Sequence, residues 1–136
     1  PRLLVDGRVI TPILTDPGVY TFILPRGSSS ARLCSRVGIP SDLTPWHNDR
    51  RRLGLAVRRI RLRDGQDVTD LPLDHPAFTD GWWGIESDTK AIWRWSDGNA
   101  IVPLAGGDVR VLEITASGLP AYRLDADVEL VSWLAA

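Results

Sequence analysis

Apolar residues recurring at every second position constrain this chain most, because that spacing sends alternate side chains to opposite faces of an extended strand. In residues 122–130, Tyr122, Leu124, Ala126, Val128 and Leu130 form one row, and Arg123, Asp125, Asp127 and Glu129 form the other. Such a segment is satisfied when one face is packed against a second layer and the other is wet. In residues 53–63 the alternation changes phase. Leu53, Leu55 and Val57 share one parity and Ile60 and Leu62 the other, with Arg58 and Arg59 between them. One extra residue in an antiparallel ladder restores a common core face, so the phase change predicts a β-bulge at this arginine pair.

Shorter strands are expected at residues 2–5, 8–14, 19–24, 31–36, 92–95, 100–104 and 109–115. Turn chemistry separates them: Asp6-Gly7, Asp16-Pro17-Gly18, Asp64-Gly65, Asp97-Gly98 and Gly106-Gly107. Each pair or triplet suits the positive φ angles or the fixed proline φ of tight turns. No segment sustains helical apolar spacing, and 10 Pro with 12 Gly interrupt most attempts at it. Residues 40–48 read as a loop or a short helical turn. The predicted fold is all-β: a two-sheet antiparallel β-sandwich, jelly-roll-like, with about ten short strands and little helix.

A chain of 136 residues supports one hydrophobic core, so residues 1–136 are read as a single domain. Its start at Pro1 and its lack of methionine suggest a piece of a longer protein. With 43% hydrophobic and 24% charged residues, the composition is that of a folded globular chain. The 16 basic and 17 acidic residues nearly cancel, so no overall field draws the chain to nucleic acid. No apolar run is long enough for membrane insertion as a helix, and there is no signal-peptide pattern. Cys34 is the only cysteine, which excludes an internal disulfide and a cysteine-based zinc cluster. The compartment is left open.

Several segments resemble a known family. Residues 2–7 (Arg2-Leu3-Leu4-Val5-Asp6-Gly7), residues 33–36 (Leu33-Cys34-Ser35-Arg36) and the block from Asp49 through Arg50, Arg51, Arg52, Leu53 and Gly54 to Ile60 resemble the β-rich region that follows the Hint (hedgehog/intein) domain in bacterial proteins. Gly81-Trp82-Trp83 with Glu86, and Trp93-Arg94-Trp95, are similar to a pattern in that region and in accessory domains of bacterial glycosyltransferases. The resemblance covers roughly residues 2–104. It implies a β-rich accessory module of undefined role, and a secreted or cell-surface parent is one expectation for a compartment that stays open. No catalytic residue carries over, because the autoprocessing nucleophile and histidine belong to the upstream Hint domain.

Catalytic motifs are weak. His47-Asn48 resembles the His-Asn pair that ends an intein, but Asp49 follows where a Cys, Ser or Thr is required, and no Gly-x-Ser-x-Gly elbow occurs. Asp74-His75-Pro76 offers two ligands where a zinc site needs three or four, so no metal and no cofactor are expected. Carboxylate pairs such as Glu86 with Asp88, or Asp49 with Asp42, are expected by chance among so many acids. Glycosidase chemistry depends on a carboxyl separation that sequence spacing does not give.

Charge and tryptophan carry more information. Residues 50–63 hold seven Arg and no acid, and residues 64–88 hold seven acids and no Lys or Arg. The row Arg59, Arg61 and Arg63 is expected to meet an acidic row on a neighbouring strand, with Asp125, Asp127 and Glu129 as candidates. Arg50, Arg51 and Arg52 as an anion site is the competing view. The six tryptophans are Trp46, Trp82, Trp83, Trp93, Trp95 and Trp133. Strand alternation puts Trp93 and Trp95 on one face and Trp82 and Trp83 on opposite faces. An indole fills a core or stacks on a sugar ring, with Arg and Glu bonding the hydroxyls.

Trp82, Trp83, Glu86, Arg94 and Trp95 are therefore the candidate ligand-binding residues. The leading expectation is a non-catalytic accessory or interaction module whose partner is a carbohydrate or another protein domain. A structural or oligomerisation domain is the first alternative, since Trp133 breaks the alternation near the C-terminus as a homodimer contact would. A glycan-acting enzyme is the second.

Overall fold

The computed structural model describes residues 1–43, 48–104 and 107–119. The 122–130 alternation, Trp46, His47 and Trp133 lie outside the described residues. In chain order the elements are β1 (Arg2–Val5), β2 (Arg8–Ile10), β3 (Ile13–Asp16), β4 (Val19–Leu24), β5 (Ser30–Cys34), α1 (Pro40–Leu43), β6 (Ala56–Asp64), β7 (Asp67–Leu71), β8 (Trp82–Ser87), β9 (Ile92–Ser96), β10 (Asn99–Pro103) and β11 (Arg110–Ser117). Strands β10, β5, β1 and β2 form a four-stranded sheet in that order. The seven-stranded sheet runs β3, β4, β11, β6, β9, β8, with β7 also paired to β6. All pairings are antiparallel, as the period-two pattern and frequent turns require.

Both sheets contribute to one core. Leu3, Val5, Ala31, Leu33 and Val102 come from the small sheet, and Phe22, Leu24, Val57, Ile60, Leu112 and Ile114 from the large one. Two local devices shape the layers. The β1–β2 turn has φ of 45° at Asp6 and 83° at Gly7, the double positive φ of the hairpin turn that an Asp-Gly pair favours. The strand expected over residues 8–14 is broken at Thr11-Pro12, so β2 joins the small sheet and β3 the large one. Proline has no N–H for a ladder bond and forces an extended residue before it, which suits a corner between sheets.

The predicted bulge is present. In the β6–β11 ladder Thr115 lies opposite Arg59 and Ala116 opposite Val57, leaving Arg58 unmatched. Both Val57 and Ile60 are thereby buried, each at 0% exposure. The Arg59, Arg61 and Arg63 row faces outward and meets acids from both neighbouring strands. Arg61 Nε donates to Asp70 at 2.8 Å, Arg59 lies 3.8 Å from Asp70, and Arg63 lies 3.3 Å from Glu113. Cross-strand opposite charge therefore explains this row, through Asp70 and Glu113. Asp125, Asp127 and Glu129, the acids expected there, lie outside the described residues.

Candidate functional site

The tryptophan-rich motifs form a two-stranded edge of the large sheet. Glu86 lies opposite Trp93 and Ile85 opposite Arg94, while Trp82 lies opposite Ser96. The register shifts between Trp82 and Ile85, so Trp83 and Gly84 share the interval facing Trp95. Directly opposed residues in an antiparallel ladder point the same way. Arg94 is also opposed to Val57 and Trp95 to Ala56, and Val57 belongs to the core. One face of β8–β9 therefore carries Trp83, Glu86, Trp93 and Trp95 outward. The other carries Trp82, Arg94 and Ser96 toward the interior, and Ile85 and Ile92 on the same face but exposed toward the hairpin tip.

This division separates the candidate residues into two groups. Trp82 packs at the margin of the core, edge-on to Phe78 at 5.2 Å, and its Nε1–H donates to the Ile101 carbonyl at 2.7 Å. Because Ile101 is in β10, this bond ties the edge of the large sheet to the small one. Arg94 is engaged just as fully. Its Nε donates to Trp83 O at 2.6 Å, Nη1 to Leu73 O at 2.7 Å and Nη2 to Phe78 O at 3.2 Å. Its guanidinium also lies 5.9 Å from the Phe78 ring. A planar fork suits this task, because it satisfies carbonyls from the β7–β8 connection and from β8 at once. Trp82 and Arg94 hold the site's frame and do not converge with Trp83, Glu86 and Trp95.

The outward group gains Arg51, which the sequence does not distinguish from Arg50 and Arg52. Arg51 donates to Asp49 at 2.8 Å through Nη2 and to Glu86 at 3.2 Å through Nη1, and it sits 5.6 Å from the Trp83 ring centre. Hydrogen bonding to Asp49, and then to Glu86, holds the Arg51 pKa above its usual value despite partial burial. Trp83 Nε1 donates to Arg52 O at 2.8 Å, so the segment beside β6 is fastened to the indole from both sides. Arg51 is thus neutralised by two carboxylates rather than left as an anion site.

Trp83, Trp93, Trp95 and Glu86 are all half-buried, with part of each side chain in contact with water. Trp93 and Trp95 are two residues apart on one strand, which spaces their Cα atoms roughly 7 Å apart. At the hairpin tip the Asp88 carboxylate accepts from Lys90 N at 2.7 Å and Ala91 N at 2.8 Å, which lowers its pKa. Among the described residues no group of three or more His, Cys, Asp and Glu is placed to hold a metal ion. No helix among them is long and apolar enough to cross a membrane. No protein-family model, curated protein or solved structure matches the chain.

Proposed function

We propose that this domain is a non-catalytic binding module of a larger protein and that a carbohydrate docks on the outer face of β8–β9. The observation that carries the proposal is the alignment of Trp83, Trp93 and Trp95 on one face beside Glu86, whose free lone pairs can accept from sugar hydroxyls. An indole face covers the apolar C–H face of a pyranose, while a carboxylate fixes its orientation. The Arg51 bridge holds Glu86 in place before any ligand arrives, which lowers the ordering cost of binding. The accessory role in a Hint-type bacterial protein rests on the sequence resemblance over residues 2–104.

A glycan-array screen of the intact chain tests this directly. The expected result is a glycan hit whose affinity falls roughly thirty-fold in Trp95→Ala, the loss typical of a truncated tryptophan anchor. A screen with no hits, or hits indifferent to Trp95→Ala, would count against it.

A structural or oligomerisation role has one observation of its own. At the far end of the same sheet Ile13 and Ile23 are 55% and 52% exposed, on edge strand β3 and its neighbour β4. Exposed aliphatic side chains beside an open strand edge suit contact with a second chain. A concentration-independent monomer in sedimentation equilibrium would dispose of that role.

A further inference from the structure

Strand β8 contains a glycine that the fold does not require. Six of the described glycines take positive φ, where a side chain would be strained. Gly54 and Gly107 are crowded instead: a Cβ would lie 2.6 Å from Ser35 Oγ at the first and 3.2 Å from Asp64 Oδ2 at the second. Gly84 has neither reason. Its φ lies outside the left-handed region, and a Cβ built on it would meet no atom within 4 Å beyond its two chain neighbours. A strand interior disfavours glycine, because the bare backbone loses more freedom on folding and adds no packing. The bulge does not call for it either, since the glycine form of that irregularity uses a positive φ.

Position supplies the missing reason. Gly84 shares with Trp83 the interval opposite Trp95, between Trp82 and Ile85, which both turn to the other face. A side chain at this position would therefore project beside Trp83 and Trp95, on the face that carries Glu86 and Trp93. An aromatic ring across a strand pair can shield a glycine, yet no atom of Trp95 comes within 4 Å of the Cβ position. Gly84 is exposed while Trp83, Trp93 and Trp95 are half-buried, so bare backbone forms a gap among the indoles.

We propose that Gly84 is the floor of the sugar subsite, admitting a pyranose ring against the backbone beside Trp83 and Trp95 and setting how deeply it seats. This role rests on the carbohydrate reading of the β8–β9 face and adds the residue that decides what fits there. Glycine inside a strand commonly marks the close approach of a ligand to the chain.

A substitution series at Gly84 tests this with β-1,4-linked tetrasaccharides of glucose, mannose, galactose and N-acetylglucosamine, read on the indole N–H signals of the intact chain. Gly84→Val should melt at or above the parent's temperature, because a β-branched residue suits a strand and meets nothing there. It should weaken the tetrasaccharide that binds the parent by roughly ten-fold or more, as bulk forced into an occupied space does. Gly84→Ala should fall between the two. Ser87→Val places the same bulk on the opposite face of β8 and should leave affinity unchanged. Parent binding that Gly84→Val leaves intact overturns the role of Gly84 while sparing the carbohydrate reading. A Gly84→Val melting temperature more than about 5 °C below the parent's overturns it too, since the glycine would then serve the fold. If none of the four sugars moves the Trp83, Trp93 or Trp95 signals, the carbohydrate reading falls and the role of Gly84 falls with it.

Discussion

Replacing Arg94 by methionine separates the structural role of that residue from a role in ligand contact. The substitution keeps an unbranched apolar stem and removes the donors that serve Trp83 O, Leu73 O and Phe78 O. A buried or part-buried carbonyl left without a donor costs about 1 kcal/mol at the lower end. Arginine and methionine lose similar side-chain freedom on folding, about 1.5–2 kcal/mol each, so entropy does not change the balance. The expected destabilisation is about 3 kcal/mol, which for a chain of this length lowers the melting temperature by about 10 °C. Near-ultraviolet circular dichroism of the tryptophans follows the transition, and a glycan titration well below it reads binding. Arg94→Lys should recover only part of the loss, because an ammonium on one stem does not span three carbonyls. A melting temperature within about 2 °C of the parent, together with lost glycan binding, would refute the structural assignment.

Other consequences are equally direct. A Cβ at Gly54 would lie 2.6 Å from Ser35 Oγ, 2.6 Å from Ser96 Oγ and 2.7 Å from Gly98 N, so Gly54→Ala should destabilise by about 1–3 kcal/mol in a urea melt. Arg51→Gln should release Glu86 and the Trp83 ring, shifting tryptophan emission to longer wavelength and weakening glycan binding without a large change in melting temperature. Asp70 is held below the ordinary carboxylate pKa, chiefly by its hydrogen bond from Arg61, and Asp88 by the N–H groups of Lys90 and Ala91. A folded pKa below the unfolded one contributes stability that is present above about pH 4 and is lost as pH falls through the lowered values. Asp88→Asn should therefore flatten the acid limb of the stability curve measured by urea denaturation between about pH 5 and pH 2.

Much of the layer structure was legible because each buried strand writes its face into the sequence. Strands β1 and β4 fall on the expected residues, and the Arg58–Arg59 phase change marks the bulge in β6. Strand β7 was missed for a physical reason: most of its residues are exposed, so Asp67, Val68, Thr69 and Asp70 carry no apolar row to read. The opposite faces of Trp82 and Trp83 follow from alternation alone. The fate of Arg94 does not, since a register opposed to Val57 and three carbonyl partners are properties of the assembled sheet. Arg51 was hidden among three consecutive arginines, and only the fold shows that it is the one between Asp49 and Glu86.

The most direct test of the proposed carbohydrate surface is a heteronuclear NMR titration of the indole N–H signals with whichever sugar ranks first on the array. The Trp93 and Trp95 signals should move together along one saturation curve, with Trp83 following, while the Trp82 signal stays fixed on its Ile101 carbonyl. Saturable movement of Trp82 with Trp93 and Trp95 unmoved would contradict it.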